Sequence, residues 1–342
     1  MRGTAASEPK ASSNAPGRYA GLSSEARAKA CSWLRLNFPV FSSGTGRVRQ
    51  RAKVSQFLGA LTTAQGDFPK AEHFLQQSLE LYEDLGDEWG IAVSLNALAI
   101  AARDRGDYSS AQRYFERSLA CWRTLPDRLA VARCLHNLAN VVKARGDFSR
   151  AHHASREATE IFETVGDRDS AAWSINQEGD IAREQGDTAG ARRLYEQALS
   201  TFRETGNRWG AARSLTDLGS IDCERAHFPA AHVEFREALA IFATLGHRPG
   251  IARAFEGLAC LALASGQPAR ALKLAAAAAH TRRLIGAFLP QAEQSRLDRK
   301  LLPAWHSMRE LEAKDAWATG LAMSLDKAIQ YSLEGPESAI SA

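Results

Sequence analysis

Arg133, Trp173, Arg213 and Arg253 stand forty positions apart and carry the most suggestive chemistry in this chain. Three and four positions beyond them come His136 and Asn176, then Asn137, Gln177 and Asp217; seven positions beyond come Asn140 and Asp180. Offsets of three, four and seven put all of these on one side of a helix. The set holds donors and acceptors but no activated nucleophile. Amides pair with the backbone of an extended chain, guanidinium groups fork onto carboxylates, and an indole offers a large flat surface. The expectation is a binding surface built from Arg133, His136, Asn137, Asn140, Trp173, Asn176, Gln177, Asp180, Arg213 and Asp217. The bland alternative is a solvated face, polar because nothing covers it; the exposed register of Trp173 argues against that.

Nothing else assembles into a reaction centre. There is no G-x-x-x-x-G-K-[ST] phosphate loop, and Gly44-Thr45-Gly46, with no lysine in place and no preceding strand, reads as a loop. Serine elbows and kinase signatures are absent. His152–His153 and the pair His227 and His232 lack metal-ligand spacing on one helical face. The five cysteines, Cys31, Cys121, Cys134, Cys223 and Cys260, form no C-x-x-C pair and read as small buried apolar residues. No catalytic residue, cofactor or metal is therefore expected. The 342 residues are 45% hydrophobic and 24% charged, the profile of a folded helical protein. The net charge of +4 is uneven: eight Lys/Arg against Glu8 and Glu25 make residues 1–50 +6, so the other 292 sum to −2. A near-neutral body lacks the phosphate-neutralising charge of a nucleic-acid binder. No apolar run reaches the length of a membrane span, and the N-terminus lacks the apolar core of a secretory signal, so the expected compartment is the cytoplasm.

Positions spaced by forty require elements that repeat by forty. Gly-Asp recurs at Gly66–Asp67, Gly106–Asp107, Gly146–Asp147 and Gly186–Asp187, degenerating to Ala226–His227 and Gly266–Gln267. A second series lies twenty residues out of phase: Gly86–Asp87, Pro126–Asp127, Gly166–Asp167, Gly206–Asn207, Gly246–His247 and Gly286. Glycine ends one helix and Asp or Asn caps the next. Between turns, Ala52, Ala92, Ala132, Ala172, Ala212 and Ala252 share a register early in the first helix of each unit. Gly59, Ala99, Ala139, Gly179, Gly219 and Ala259 share another, and Ala71, Ala111, Ala151, Ala191, Ala231 and Ala271 recur in the second helix. Small residues at such positions let two antiparallel helices approach, while Leu75, Phe115, Tyr195 and Phe235 fill the neighbouring groove. One pair cannot bury its apolar faces alone, so copies stack.

Steps such as Leu98-Ala99, Gly106-Asp107-Tyr108 and Ala111 resemble the tetratricopeptide repeat in a forty-residue variant, with helices of roughly sixteen residues, about 24 Å. The resemblance implies an all-α, right-handed α-solenoid of about six helix pairs over 49–286 whose first helices line a concave groove. It also implies that asparagines of the kind found at 137, 140 and 176 hold a peptide there. Gly286-Ala-Phe-Leu-Pro290 and Trp317 to Tyr331 resemble the C-terminal end of large bacterial LuxR-type and signal-transduction ATPase regulators. Those join an effector domain and an ATPase to a sensing repeat array; of these parts only the array and tail are recognisable here.

The remaining segments frame the array. Residues 1–48 read as a basic, largely disordered leader with one short helix over 23–37, broken from Phe38-Pro39 to Gly46. Residues 287–334 read as capping helices, one long helix over 290–312 and a shorter one capped by Ser324 that runs to Leu333, before a disordered tail at 335–342. Trp89 and Trp209 read as packing between adjacent repeats. The expected function is a non-catalytic scaffold binding another protein or peptide in the concave groove, in bacterial signalling or transcriptional regulation, with no membrane and no direct nucleic-acid contact. The alternatives are a self-assembling structural scaffold or a truncated fragment of a larger ATPase regulator. Oligomeric state is open.

Overall fold

The computed structural model describes residues 44–287, 289 and 291–334, and every element among them is helical. Six antiparallel pairs follow one another: α1 (Gly44–Ala64) with α2 (Phe68–Asp84), α3 (Glu88–Asp104) with α4 (Tyr108–Thr124), and α5 (Arg128–Ala144) with α6 (Phe148–Val165). The series continues with α7 (Arg168–Glu184) and α8 (Thr188–Thr205), α9 (Arg208–Glu224) and α10 (Phe228–Thr244), and α11 (Arg248–Ala264) and α12 (Pro268–Ile285). Three further helices close the chain: α13 (Gln291–His306), α14 (Glu310–Leu321) and α15 (Leu325–Leu333). This is an α-solenoid. The expected leader helix over 23–37 and the tail at 335–342 lie outside the described residues.

The turn chemistry works as the spacing demands. At Gly106, with φ of 87°, the Asp107 amide reaches back to the Ala102 carbonyl at 2.9 Å, closing the last turn of α3. The Asp107 carboxylate then accepts the Ser110 amide and starts α4. Where Pro126 replaces glycine, Leu125 is extended, as a residue before proline must be. Two caps fail: His227 and Gln267 make no side-chain bond to the helices they precede, and Ala226 holds a left-handed φ of 59° without being glycine.

Between the turns, the six alanines of each register are all 0% exposed. A Cβ added at Gly179 would stand 2.6 Å from the Tyr195 ring, so this first helix and its partner approach as closely as glycine allows. First (A) helices of successive pairs touch at three places along the row, α1 with α3, α5 with α7, and α9 with α11. Successive second (B) helices do not come as close, which puts the A row on the inner curve.

Three expectations need correction. Gly44, Thr45 and Gly46 are the first turn of α1, not a loop; the opening amides of a helix lack internal partners anyway, so glycine is tolerated there. The single helix expected over 290–312 is two, α13 and α14, parted at residues 307–309. After the extended Arg309, α14 lies against α12, where the A helix of another pair would sit, and Gly320 permits the approach: a Cβ there would lie 2.2 Å from the Lys273 carbonyl oxygen. Trp89 packs within its own pair, edge-on to Trp122 at 6.1 Å, and is 50% exposed.

Candidate functional site

Forty-residue spacing brings equivalent positions of α5, α7, α9 and α11 side by side on the A row. There the charged side chains join in a ladder. Lys143 Nζ and Arg213 Nη2 each donate to Asp180 Oδ2 at 3.2 Å, and the Tyr195 hydroxyl donates to Oδ1 at 2.9 Å. Arg213 turns its Nε to Asp217 Oδ2 at 2.7 Å, and Arg253 Nη2 reaches Oδ1 at 2.6 Å. The order across four helices is Lys143, Asp180, Arg213, Asp217, Arg253. Three cations bracket two carboxylates, and the ladder keeps one positive charge.

Burial and charge compete at each rung. Burial disfavours an ionised Asp180, but Lys143, Arg213 and Arg253 overcome it and hold the carboxyl well below the usual carboxylate range. Burial likewise opposes the Arg213 cation, and Asp217 and Asp180 reverse that, raising its pKa. The Asp217 side chain is fully buried, where an unpaired charge would cost several kcal/mol. Its two guanidinium partners are therefore part of the fold.

The amides go inward more than the helical wheel suggests. Gln177 donates from Nε2 to the His136 carbonyl at 3.0 Å and accepts from the Ser155 hydroxyl at 3.1 Å. Asn176 is buried and donates to Ser214 Oγ at 3.2 Å. His136 Nδ1 lies 3.1 Å from Ser174 Oγ, and burial with the nearby Arg103 and Lys143 pushes its pKa down to about 4, so the ring is neutral. Asn176, Gln177 and Asp217, expected to face a ligand, thus spend their polar atoms between helices. Asn140 makes only a long 3.5 Å contact to the His136 carbonyl, and Asn137 is half-buried.

Trp173 is half-buried, with its ring 4.3 Å from that of Trp209 and 4.8 Å from that of Phe202. Trp209 thus does link adjacent pairs. Arg133 alone of the expected set is exposed, and it has no hydrogen bond or ion pair among the described residues. Lys143 and Arg253 were missed as site residues. Their signal was present: Arg253 continues the series from Arg133, and Lys143 stands three beyond Asn140.

Elsewhere the chemistry is sparse. A depression of about 630 Å³ opens on the B-helix side between α6, α7 and α8, lined among others by His152, His153, Glu178 and Arg193. No group of three or more His, Cys, Asp or Glu among the described residues is arranged to hold a metal ion. No helix among them is long and apolar enough to cross a membrane.

Comparison with known proteins agrees with this architecture. No curated protein matches the chain. Among solved structures, the apo form of RapI superposes with a TM-score of 0.64 at 14% identity, covering 82% of this chain and 98% of its own. The Rap conjugation gene regulator of plasmid pLS20, solved in complex with a Phr peptide, gives 0.61 at 11% identity, covering 90% and 84%. A signal transduction ATPase with numerous domains and a tetratricopeptide repeat sensor, from Pyrococcus horikoshii, gives 0.58 at 14% identity; the match covers 85% of this chain and 42% of that one. The tetratricopeptide repeat family matches residues 49–124, 90–164 and 169–244, together more than half of the chain. With the six helix pairs, that match identifies the chain as a member of the tetratricopeptide repeat family.

Proposed function

We propose that this protein-interaction scaffold is a non-catalytic, cytoplasmic adaptor in signalling or transcriptional control. Its ligand is an extended, acidic peptide segment of another protein, bound along the A row. The observation that carries the reading is the ladder's residual positive charge, on the same row of helices as the unpaired, exposed Arg133. Half-buried Asp180 and buried Asp217 hold the cations in place, so little side-chain entropy remains to be lost when a ligand carboxylate arrives. The face of Trp173, propped by Trp209, adds a rigid apolar surface of the kind that anchors interfaces. A solenoid of the same fold solved with a peptide bound supports the class of ligand.

The test is fluorescence anisotropy with synthetic peptides of one length and acidic, neutral or basic composition. Acidic peptides should bind best, and Arg133→Glu should weaken them by about 1–2 kcal/mol with little loss of stability, because Arg133 is exposed and makes no hydrogen bond or ion pair among the described residues. Trp173→Ala should cost about 2 kcal/mol of binding, together with some stability, since it packs on Phe202. Arg193→Ala, on the exposed B-helix side, is the control. Equal affinity for acidic and basic peptides, or an Arg133→Glu variant that binds like wild type, refutes the reading.

A further inference from the structure

The A helices α7 and α9 both end in glutamate, Glu184 and Glu224. A carboxylate at a helix C-terminus opposes the helix dipole, so each needs a cation brought to it. α13 brings two. Arg296 forks onto Glu184, Nη1 to Oε1 at 2.7 Å and Nη2 to Oε2 at 3.4 Å, across 112 residues of sequence. Lys300 Nζ reaches Glu224 Oε1 at 3.2 Å, the oxygen that also accepts Arg183 Nη2 at 2.6 Å. Arg296 and Lys300 are one helical turn apart, and Glu184 and Glu224 are equivalent positions of neighbouring repeats. α13 therefore runs along the A row, over the ends of α7 and α9, before it packs on α11 and α12.

Its attachment is lopsided. Leu301 and Ala304, near its end, are buried. From Glu293 to Lys300 every side chain is exposed except the half-buried Leu297. That stretch is held by Leu297 and by ion pairs at exposed arginine and lysine heads, 58% and 53% accessible, which contribute little and are screened by salt. A cap for the last repeat needs only the buried end. The front half, with Arg296 and Lys300, reaches two repeats further back than capping requires.

We propose that α13 is a strap along the edge of the A row in its C-terminal half, and that the Glu184–Glu224 edge is a docking surface for a helix presenting two cations one turn apart, occupied here by residues 291–306 of the chain itself. The strap narrows access to the A row at the C-terminal ends of α7 and α9 until it lifts. This consequence rests on the peptide-binding reading; the strap itself does not.

The test uses the full chain and the synthetic peptide 291–306. In Arg296→Glu/Lys300→Glu, hydrogen exchange over residues 293–300 should quicken roughly tenfold or more, while exchange in α1–α8 stays at its wild-type rate. High salt should act on the wild type in the same direction. Pairing Arg296→Glu with Glu184→Arg should restore the protection that Arg296→Glu alone removes. The labelled peptide should bind the strap-released variant roughly tenfold more tightly than wild type, whose edge is already filled. Wild-type protection in the released variant, or equal peptide binding to both proteins, overturns the strap. Acidic peptides failing to bind while the strap still lifts would count against the groove reading alone.

Discussion

Asp217→Asn tests whether the ladder holds the solenoid together or merely decorates it. The carboxylate is fully buried and makes charge-assisted bonds of 2.7 and 2.6 Å to Arg213 and Arg253. Asparagine keeps one acceptor and replaces the other with an amino group that meets a guanidinium donor head-on. Losing one charge-assisted bond costs about 1.5–3 kcal/mol, and removing one partner of a buried pair about 3–5 kcal/mol. Two features place the cost at the lower end of that range: Arg213 retains Asp180, and Arg253, 39% exposed, can turn to water. The expected loss is about 3 kcal/mol, or about 6 °C in Tm at roughly 2 °C per kcal/mol for a chain of this size. Because repeat arrays unfold locally, urea midpoints should be paired with hydrogen exchange, which should quicken in α9 and α11 before α1–α4. Asp104→Asn is the control; its carboxylate is 40% exposed and pairs with the adjacent Arg103, so the loss should stay below about 0.5 kcal/mol. A double-mutant cycle with Arg253→Gln should show coupling of about 1–2 kcal/mol. An Asp217→Asn variant as stable as Asp104→Asn, or an additive cycle, would refute the ladder's structural role.

Two further expectations concern the degenerate fifth repeat. Ala226→Gly should stabilise by about 1 kcal/mol in chemical denaturation, because Ala226 holds a left-handed φ of 59° that glycine adopts without strain; a destabilised variant would contradict this. Burial, followed by the charge of Asp222, raises the Glu234 pKa to about 7. The folded chain therefore holds that proton more tightly than the unfolded one, and stability falls as pH rises from about 4.5 through 7. Measured against wild type across that window, Glu234→Gln should gain about 1–2 kcal/mol, a figure discounted for partial solvation; parallel pH profiles would rule the effect out.

The ruler of turns was legible because each Gly-Asp step acts locally: a left-handed residue, a side-chain cap and a change of direction within a few positions. Side-chain partnerships on the A row are a different problem. Asp180 finds Arg213 across 33 residues, and Gln177 finds the His136 carbonyl across 41, through the packing of neighbouring A helices. A helical wheel places these residues on one face but does not show how close the next helix lies. Asn176 and Gln177 therefore read as free donors when they are bonded between helices. The polar stripe was visible in the residues; which of its members remain available to a ligand was decided by interhelical distance. The break at 307–309 escaped for a similar reason, since it lets α14 pack on α12, a contact that the local sequence does not show.

The ladder also makes the solenoid mechanically uneven. Ion pairs at the A row lie on the inner edge of the curve, the edge that lengthens when the coil straightens. From α5 to α11 that edge is tied rung by rung, whereas the corresponding stretch of α3 carries Val93, Asn96, Ala97 and Ile100 and has no such ties. Straightening the coil strains the linked rungs of the middle repeats and, at the N-terminal end of the row, the single pair of Arg49 with Asp87. The first two repeats are thus tied along that edge by fewer pairs than the segment bearing Trp173 and Arg213, which should bend least.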